Sequence, residues 1–599
     1  MIPQQHKMNT RTFRLALFIS AACLTMSCQD ISANTINDNI PSDKPTETST
    51  LVQTSIAGTK IKESATVAGM VKDSRTGKGI AGVPVSDGYN FVTTDANGVY
   101  QMKADKRARK IYYTTPAEYK IALDGKKHQP CFYSEGLLQH DRKLRIDFNL
   151  TLLDAPEKEF TLVMIGDPQC YKTSQVKRYT GETVADIVRT AGECPNCYAI
   201  TLGDITFDSS NMWKEMSASM SNVEAAGGYV PFFQCIGNHD HDSLSPDTAD
   251  NEDDDHMATC SFVETFGPTD YSFDRGDVHI IVLDDICVTS IKGSSRPNGA
   301  TWSYVGGFTD DQLKWLKQDI ALVDDPASKA VVVCAHIPFR SGSNETGSSV
   351  SSSRHYDDVL RLLTQFRECH IMIGHTHYNQ NYIHTSRLCA GGQPIYEHIH
   401  GGACGAWWSA DCTTTGAPNG YNVYRFDGPG VKDWWLKGSN KQKEYQLRVF
   451  DGDKVYSGSK NYEYLWYRTS TTYAECTAKG FEEARGALVA EVFDDDSKNW
   501  RVEFWQGGVK KGDFIRAAAG GISNIPLAAF WYNEKNMTST NYVNTTASHY
   551  WYYKPADGTA PADLKDWEVR AVFTVPTNPS QVNVYKCTRL TTDNSEYDK

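Results

Sequence analysis

The sequence predicts an α/β core flanked on both sides by β-rich domains. Three observations lead there. Between residues 159 and 405, apolar strand-like runs alternate with helical periodicity. Residues 64–152 hold short strand-like runs separated by Gly and Asp turns. From about residue 420 to the end the pattern returns to β, rich in aromatics, and eight of the 13 Trp lie there.

The elements follow in chain order. Lys7, Arg11 and Arg14 precede an apolar run from Leu15 to Met26 that is too short to span a bilayer. It ends at Ser27-Cys28, which resembles a bacterial lipoprotein cleavage site, with Cys28 as the lipidated residue and Cys23 as its rival. The expectation is a signal peptide over 1–28 and an exported, lipid-anchored protein, facing the periplasm or on the cell surface of a bacterium. Residues 29–63 are rich in Ser, Thr, Asn, Asp and Pro, as a flexible tether is. Strand-like runs then cover Ala65–Val71, Gly82–Val85, Tyr89–Thr94, Gly98–Met102 and Leu144–Leu152. The last alternates apolar and polar residues and predicts a half-buried antiparallel strand. The stretch from Gly69 to Met102 resembles the transthyretin-like, carboxypeptidase-regulatory type of β-sandwich, which implies a domain over 64–152 without chemistry of its own.

In the core, strands are expected at Thr161–Ile165, Tyr198–Leu202, Phe232–Ile236, Ala330–Ala335 and His370–Ile373. Helices are expected at Glu182–Ala191, Met212–Ala226, Thr309–Val323 and near Tyr356–Phe366, and a hairpin over Tyr271–Asp285. In the C-terminal domain, placed at 420–599, strands are expected at Tyr445–Phe450, Leu488–Phe493, Trp500–Trp505, Leu527–Trp531 and Trp567–Val575. Its aromatics suit sugar faces, although core packing accounts for most of them.

Charge and cysteine content bound the function. The 599 residues carry a net charge of −13, which argues against nucleic-acid binding. The 16 Cys are scattered, and Cys194-Pro-Asn-Cys197 reads as a local disulfide or two thiols rather than a zinc site.

The chemistry sits just after the core strands. Asp167 and Gln169 follow the first strand in IGDPQ, and Asp204 the second in LGD. Asn238, His239, Asp240 and His241 follow the third, His336 the fourth, and His375 and His377 the fifth in IGHTH. Ligands of open α/β sheets bind beyond the carboxyl ends of strands, so five strands deliver polar groups to one rim. Asp, Asn and His suit divalent transition ions, and seven donors are too many for one tetrahedral ion.

This ordered set resembles the calcineurin-like metallophosphoesterase superfamily over 159–405, in its bacterial exported form with dedicated N- and C-terminal domains. Residues 266–285 resemble its purple-acid-phosphatase-like side. The resemblance implies a four-layer sandwich with two mixed sheets. It implies one ion on Asp167, Gln169, Asp204 and His377, and another on Asp204, Asn238, His336 and His375, with Asp204 bridging. His239 would protonate the leaving group and Asp240 would orient its ring. By position alone, Asn238, His241 and Arg340 are candidates for substrate contact, the alternatives being that His241 fills its loop and Arg340 forms a surface ion pair. Gln169 stands where most members have His, which favours Mn²⁺ or Mg²⁺ over Zn²⁺ at that site; of Mn, Mg, Zn and Fe, Mn is the expected pair of ions. Phe207 stands where purple acid phosphatases carry a charge-transfer Tyr, so a coloured ferric site is not expected.

The implied reaction is hydrolysis of a phosphate ester by in-line attack of a hydroxide bridging the two ions. A phosphomonoester of a small molecule or glycan is the first expectation. A phosphodiester, or glycan binding by a core of low activity, is the alternative. The acidic run Glu252–Asp255 reads as a solvated loop. Trp407-Trp408 reads as interdomain packing or as a stacking platform for a sugar or base.

Overall fold

The computed structural model describes residues 44–591, apart from 125–128, 222–223, 226–227, 243–252, 291–301, 342–345, 348–349, 409–410, 414, 454–484, 495, 497 and 518–548. The expected signal peptide, Cys23 and Cys28, and the strand at Leu527–Trp531 lie outside the described residues.

The core is built on two mixed sheets. Its strands are β1 (Glu159–Ile165), β2 (Cys197–Leu202), β3 (Phe232–Cys235), β4 (Tyr271–Arg275), β5 (Val278–Val282), β6 (Ala330–Cys334), β7 (Glu368–Ile373), β8 (Gln380–Leu388), β9 (Pro394–Ile399), β10 (Gly420–Asp427) and β11 (Val431–Gly438). The first sheet has the order β3-β2-β1-β10-β11, and the second β4-β5-β6-β7-β9-β8 with Thr346–Gly347 at its edge. β1, β2 and β3 are parallel, as are β5, β6, β7 and β9, while hairpin partners run antiparallel.

Period-two alternation sets the layers. Leu162, Met164, Ile200 and Leu202 share one apolar cluster with Ile280, Val332 and Ile371 of the second sheet. Val163, Ile165 and Ala199 point the other way, onto Val176, Ile187, Trp213 and Met216 of the first helical layer. Helices Asp310–Ala321 and Tyr356–Leu363 close the far side with Trp315, Leu316, Val359 and Leu360. The Asp310 helix starts at a capping box, in which Thr309 and Gln312 each accept from the other's backbone N–H. The result is a helix–sheet–sheet–helix sandwich.

Several sequence expectations change. The tether ends earlier than residue 63: Thr46–Thr50 is a strand paired antiparallel with Leu144–Leu150. That pairing, with Val67–Asp73 on the other side, buries Leu144–Leu150 throughout instead of by halves. Its polar face is reconciled with burial by an Arg145–Asp147 ion pair at 2.9 Å and by the Met70 amide, which donates to Asp147 at 2.8 Å. The C-terminal domain begins later than residue 420. β10 pairs with β1 along six residues, so 420–438 completes the core sheet. The helix over Met212–Ala226 ends at Ser221, and a short strand at Glu224–Ala225 follows. The acidic run is not a solvated loop at its end: Asp253–Ala258 is helical and Asp255 accepts from the Val288 amide at 2.7 Å. Cys194 and Cys197 are free thiols.

Both flanking domains pack on the core. The N-terminal one meets the β4 edge, where Tyr112 donates to the Asp270 carbonyl, and the Asp310–Ala321 helix, where Trp315 Nε1 donates to Ser86 Oγ. The C-terminal one stacks two four-stranded sheets. It is tied down by Asp494, which accepts from Asn381 at 3.1 Å and Asn422 at 2.9 Å. Its aromatics pack inward, as in the stacked pairs Trp500–Phe573 and Phe504–Tyr553.

Candidate metal centre

The carboxyl ends of β1, β2, β3, β6 and β7 meet at one rim. The chain turns there within one or two residues of each strand end. Asp167, Gln169, Asp204, His375 and His377 all adopt positive φ, between 41° and 68°. Such backbone is uncommon outside glycine and is held only where surrounding structure fixes it. The neighbouring glycines let the turns interlock. A Cβ on Gly237 would lie 2.1 Å from the Asp204 amide nitrogen, and one on Gly203 would lie 2.5 Å from His336 Nδ1.

Seven side chains converge. Atoms of Asp204, His336 and His375 lie within 4.8 Å of one another, as do those of Asp167, Asp204 and His377, so Asp204 is common to both groups. Gln169 Nε2 donates to Asp204 Oδ2 at 2.8 Å, and Asn238 Oδ1 lies 3.1 Å from His336 Nε2. His336 Nδ1 is 2.7 Å from the Leu202 carbonyl and must carry its proton toward that oxygen. Its Nε2 then faces Asn238 Oδ1, Asp204 Oδ1 at 3.4 Å and His375 Nδ1 at 3.2 Å. Lone pairs directed at one another are reconciled by a proton or by a cation.

The field has the right sign for a cation. Burial raises the pKa of Asp204, but His336 and the bonds around it prevail and hold its carboxyl well below the ordinary range. Burial likewise lowers His336, yet Asp204 pushes it up to about 10. His377 stands well above its usual value because Asp167 and Cys404 outweigh burial. A bound divalent ion would satisfy the same charge. Gln169 Oε1 is buried without a hydrogen-bond partner, an orphan acceptor that a cation would satisfy. Three imidazoles, two carboxylates and two amide oxygens form a donor set that fits two divalent ions.

Behind the donors, carboxylates fix the loops. Asp285 accepts from the amides of His336 and Ile337 and from Tyr356 Oη, and Glu397 accepts from the amides of Phe339 and Arg340. Cys404 Sγ lies 3.8 Å from His377 Nδ1, leaving Nε2 on the Asp167 side at 3.4 Å.

The four other expected residues fall differently. His239 is beside the centre, its amide donating to Asp204 Oδ1 at 2.9 Å and its ring partly exposed. Asp240 does not orient that ring: its buried carboxylate accepts from the amides of Ile205, Thr206 and Gly237, pinning two loops together. The partner of His239 Nδ1 is Asp208, at 2.9 Å, which the sequence reading missed. Phe207 stacks on the same imidazole at 4.2 Å. Burial lowers His239, but Asp208 and Asp204 outweigh it and the pKa rises. His241 is an interior side chain. Its ring is fully buried between the Gly237 carbonyl and Asp284, at 2.9 and 3.3 Å. Arg340 is buried too, and its guanidinium donates to Gln380 Oε1. Trp408 Nε1 donates to the Pro168 carbonyl at 2.9 Å, so this ring is packing, while Trp407 is exposed.

Comparison with known proteins adds the following. The calcineurin-like phosphoesterase family model matches residues 160–379. Models for the N terminal and the C terminal of calcineurin-like phosphoesterase match residues 65–153 and 397–573. No curated protein matches the chain. Among solved structures, purple acid phosphatase PPD1 from yellow lupin (Lupinus luteus) seeds is 14% identical over 54% of this chain, with a TM-score of 0.30. PhoD is 12% identical over 60% of this chain and 82% of its own, with a TM-score of 0.31. NAD nucleotidase of Haemophilus influenzae is 12% identical over 47% of this chain and 49% of its own, with a TM-score of 0.23. The match spans 60% of the lupin structure.

Proposed function

The chain belongs to the calcineurin-like phosphoesterase family and is a metal-dependent phosphoester hydrolase; from that premise we propose that it is an exported phosphomonoesterase. The observation that carries the reading is Asp204, shared between two donor groups, with the His239 imidazole beside it on a carboxylate of its own. The likeness of residues 266–285 to purple-acid-phosphatase-like sequences supports a monoester. The basic and apolar N-terminal run supports export.

In this reading Asp167, Gln169, Asp204 and His377 hold one divalent ion, and Asp204, Asn238, His336 and His375 the other. Two ions bound there supply positive charge for the phosphoryl oxygens and an acidified water for in-line attack. Asp208 takes His239 Nδ1–H, which leaves Nε2 to carry the proton for the departing alkoxide. Such general acid catalysis contributes about 10²–10⁴-fold. The neutral oxygen of Gln169 favours Mn²⁺ over Zn²⁺. Arg340 and His241 are given no role in this reading, since both are buried, His241 between the Gly237 carbonyl and Asp284 and Arg340 against Gln380.

The test is a chromogenic phosphomonoester against the matching diester, with Mn²⁺ and with chelator. Faster cleavage of the monoester is expected. A clear preference for the diester would overturn the monoesterase reading and keep the hydrolase. Export is tested by Cys28→Ala with cell fractionation, which should release the protein from the membrane fraction if Cys28 is lipidated.

A further inference from the structure

Aromatic side chains crowd the mouth of the metal centre. Tyr171, Phe207 and Trp407 are 48%, 37% and 37% exposed, and every other exposed large hydrophobic among the described residues is aliphatic. Each sits on a loop that carries donors. Tyr171 follows Gln169 by two residues, and Phe207 follows Asp204 by three. Trp407 turns at φ 45° and places its ring 4.9 Å from that of His377. Phe207 and Tyr171 meet edge to face at 6.4 Å, and Phe207 lies face to face with His239. Exposed aromatic surface is unfavourable in water and, gathered at one place, marks a binding site.

Its position says what binds. His239 is the proton donor of the proposed reaction, so the ring stacked on it faces the alcohol side of the substrate. Beside these rings Asp208 Oδ1 is held by His239 and Gln169 Nε2 by Asp204. A flat ring such as a base stacks on such aromatic faces whatever its own hydrogen-bonding groups. Lys172 Nζ, 5.1 Å from the centre of the Tyr171 ring, adds positive charge at the same rim.

We propose that Tyr171, Phe207 and Trp407 form a ring-binding subsite, and that the substrate is a phosphate ester whose alcohol carries a flat aromatic ring such as a nucleobase. This rests on the phosphoesterase reading above and adds its specificity.

Adenosine 5′-monophosphate and ribose 5-phosphate test it, because each releases phosphate from a primary 5′-alcohol and they differ by the base. With the Mn²⁺-loaded protein, kcat/KM should favour the nucleotide roughly tenfold or more, the size expected of base–aromatic stacking. In Tyr171→Ala and Phe207→Leu that ratio should fall toward one. Damage to folding or metal loading would lower both substrates and leave the ratio unchanged, which would overturn the subsite. Equal rates in the wild type would overturn it as well and leave the hydrolase standing. Hydrolysis of neither ester would count against the phosphoesterase reading instead. Calorimetry on the chelator-treated protein then decides the subsite: tighter binding of the nucleotide than of ribose 5-phosphate sustains it, and equal or absent binding overturns it.

Discussion

His239 and Asp208 carry the account at the scale of single residues. His239→Ala should lower kcat by about 10²–10⁴-fold, as expected for a lost general acid. Metal content, read by elemental analysis, should stay at the wild-type level. Asp208→Asn should cost less, on the order of tenfold, because the ring keeps a hydrogen-bond partner but loses a charge. It should also move the alkaline limb of the pH–rate profile to lower pH, since the Asp208 bond raises the His239 pKa. An unmoved limb would remove Asp208 from the positioning role. The donors themselves were legible in the sequence because they follow apolar strand-like runs, four of them directly after a glycine. Asp208 was not, since the same GDITFD segment offers no local reason to prefer it over Asp240. Only the fold shows that Asp240 turns inward to three amides. The sequence could not choose between the two readings of His241 for a related reason: adjacency to a donor loop says nothing about which way a ring turns, and here it turns inward onto the Gly237 carbonyl and Asp284.

At the scale of elements, the turns that follow the strands do the positioning. Gly237→Ala should push the loop off Asp204, because the added Cβ would sit 2.3 Å from Asp204 Oδ1. The expected outcome is a protein that binds less than the full complement of Mn²⁺, with activity falling in proportion. Full metal loading would show that the loops tolerate separation. A second element-scale prediction concerns stability. His279 on β5 bridges Asp274 at 2.6 Å and Asp319, on the Asp310–Ala321 helix, at 2.9 Å. Burial lowers its pKa, but Asp319 and Asp274 raise it to about 10. The folded value exceeds the unfolded one of about 6.5. The stabilisation is therefore complete below pH 6.5 and lost as pH climbs toward 10. His279→Gln should flatten the fall in Tm between pH 7 and 10, removing a pH-dependent term on the order of 2 kcal/mol. The five core strands that carry the donors were readable from their apolar runs. Leu144–Leu150 was misjudged because alternation signals an exposed face only when nothing covers the polar side. Here an internal ion pair lets that side be buried.

For the whole molecule, the two sheets place five strand ends at one rim, and the flanking domains leave that arrangement intact. The α/β class and its β-rich flanks were legible from composition and alternation. The boundary at 420 was not, because β10 and β11 have the same aromatic β character as the domain that follows. Only pairing with β1 assigns them to the core. A protein truncated after residue 419 should therefore lose solubility by exposing β1, a β-sheet edge. The central claim is that the two donor groups sharing Asp204 hold the ions that hydrolyse a phosphate ester. The most direct measurement is phosphate release from a phosphomonoester by residues 29–599, paired with elemental analysis, in Mn²⁺ and after chelation. The account predicts two ions per chain and activity that vanishes with chelator and returns with Mn²⁺. Hydrolysis that survives complete removal of metal, or an inert protein with both sites filled, would contradict it.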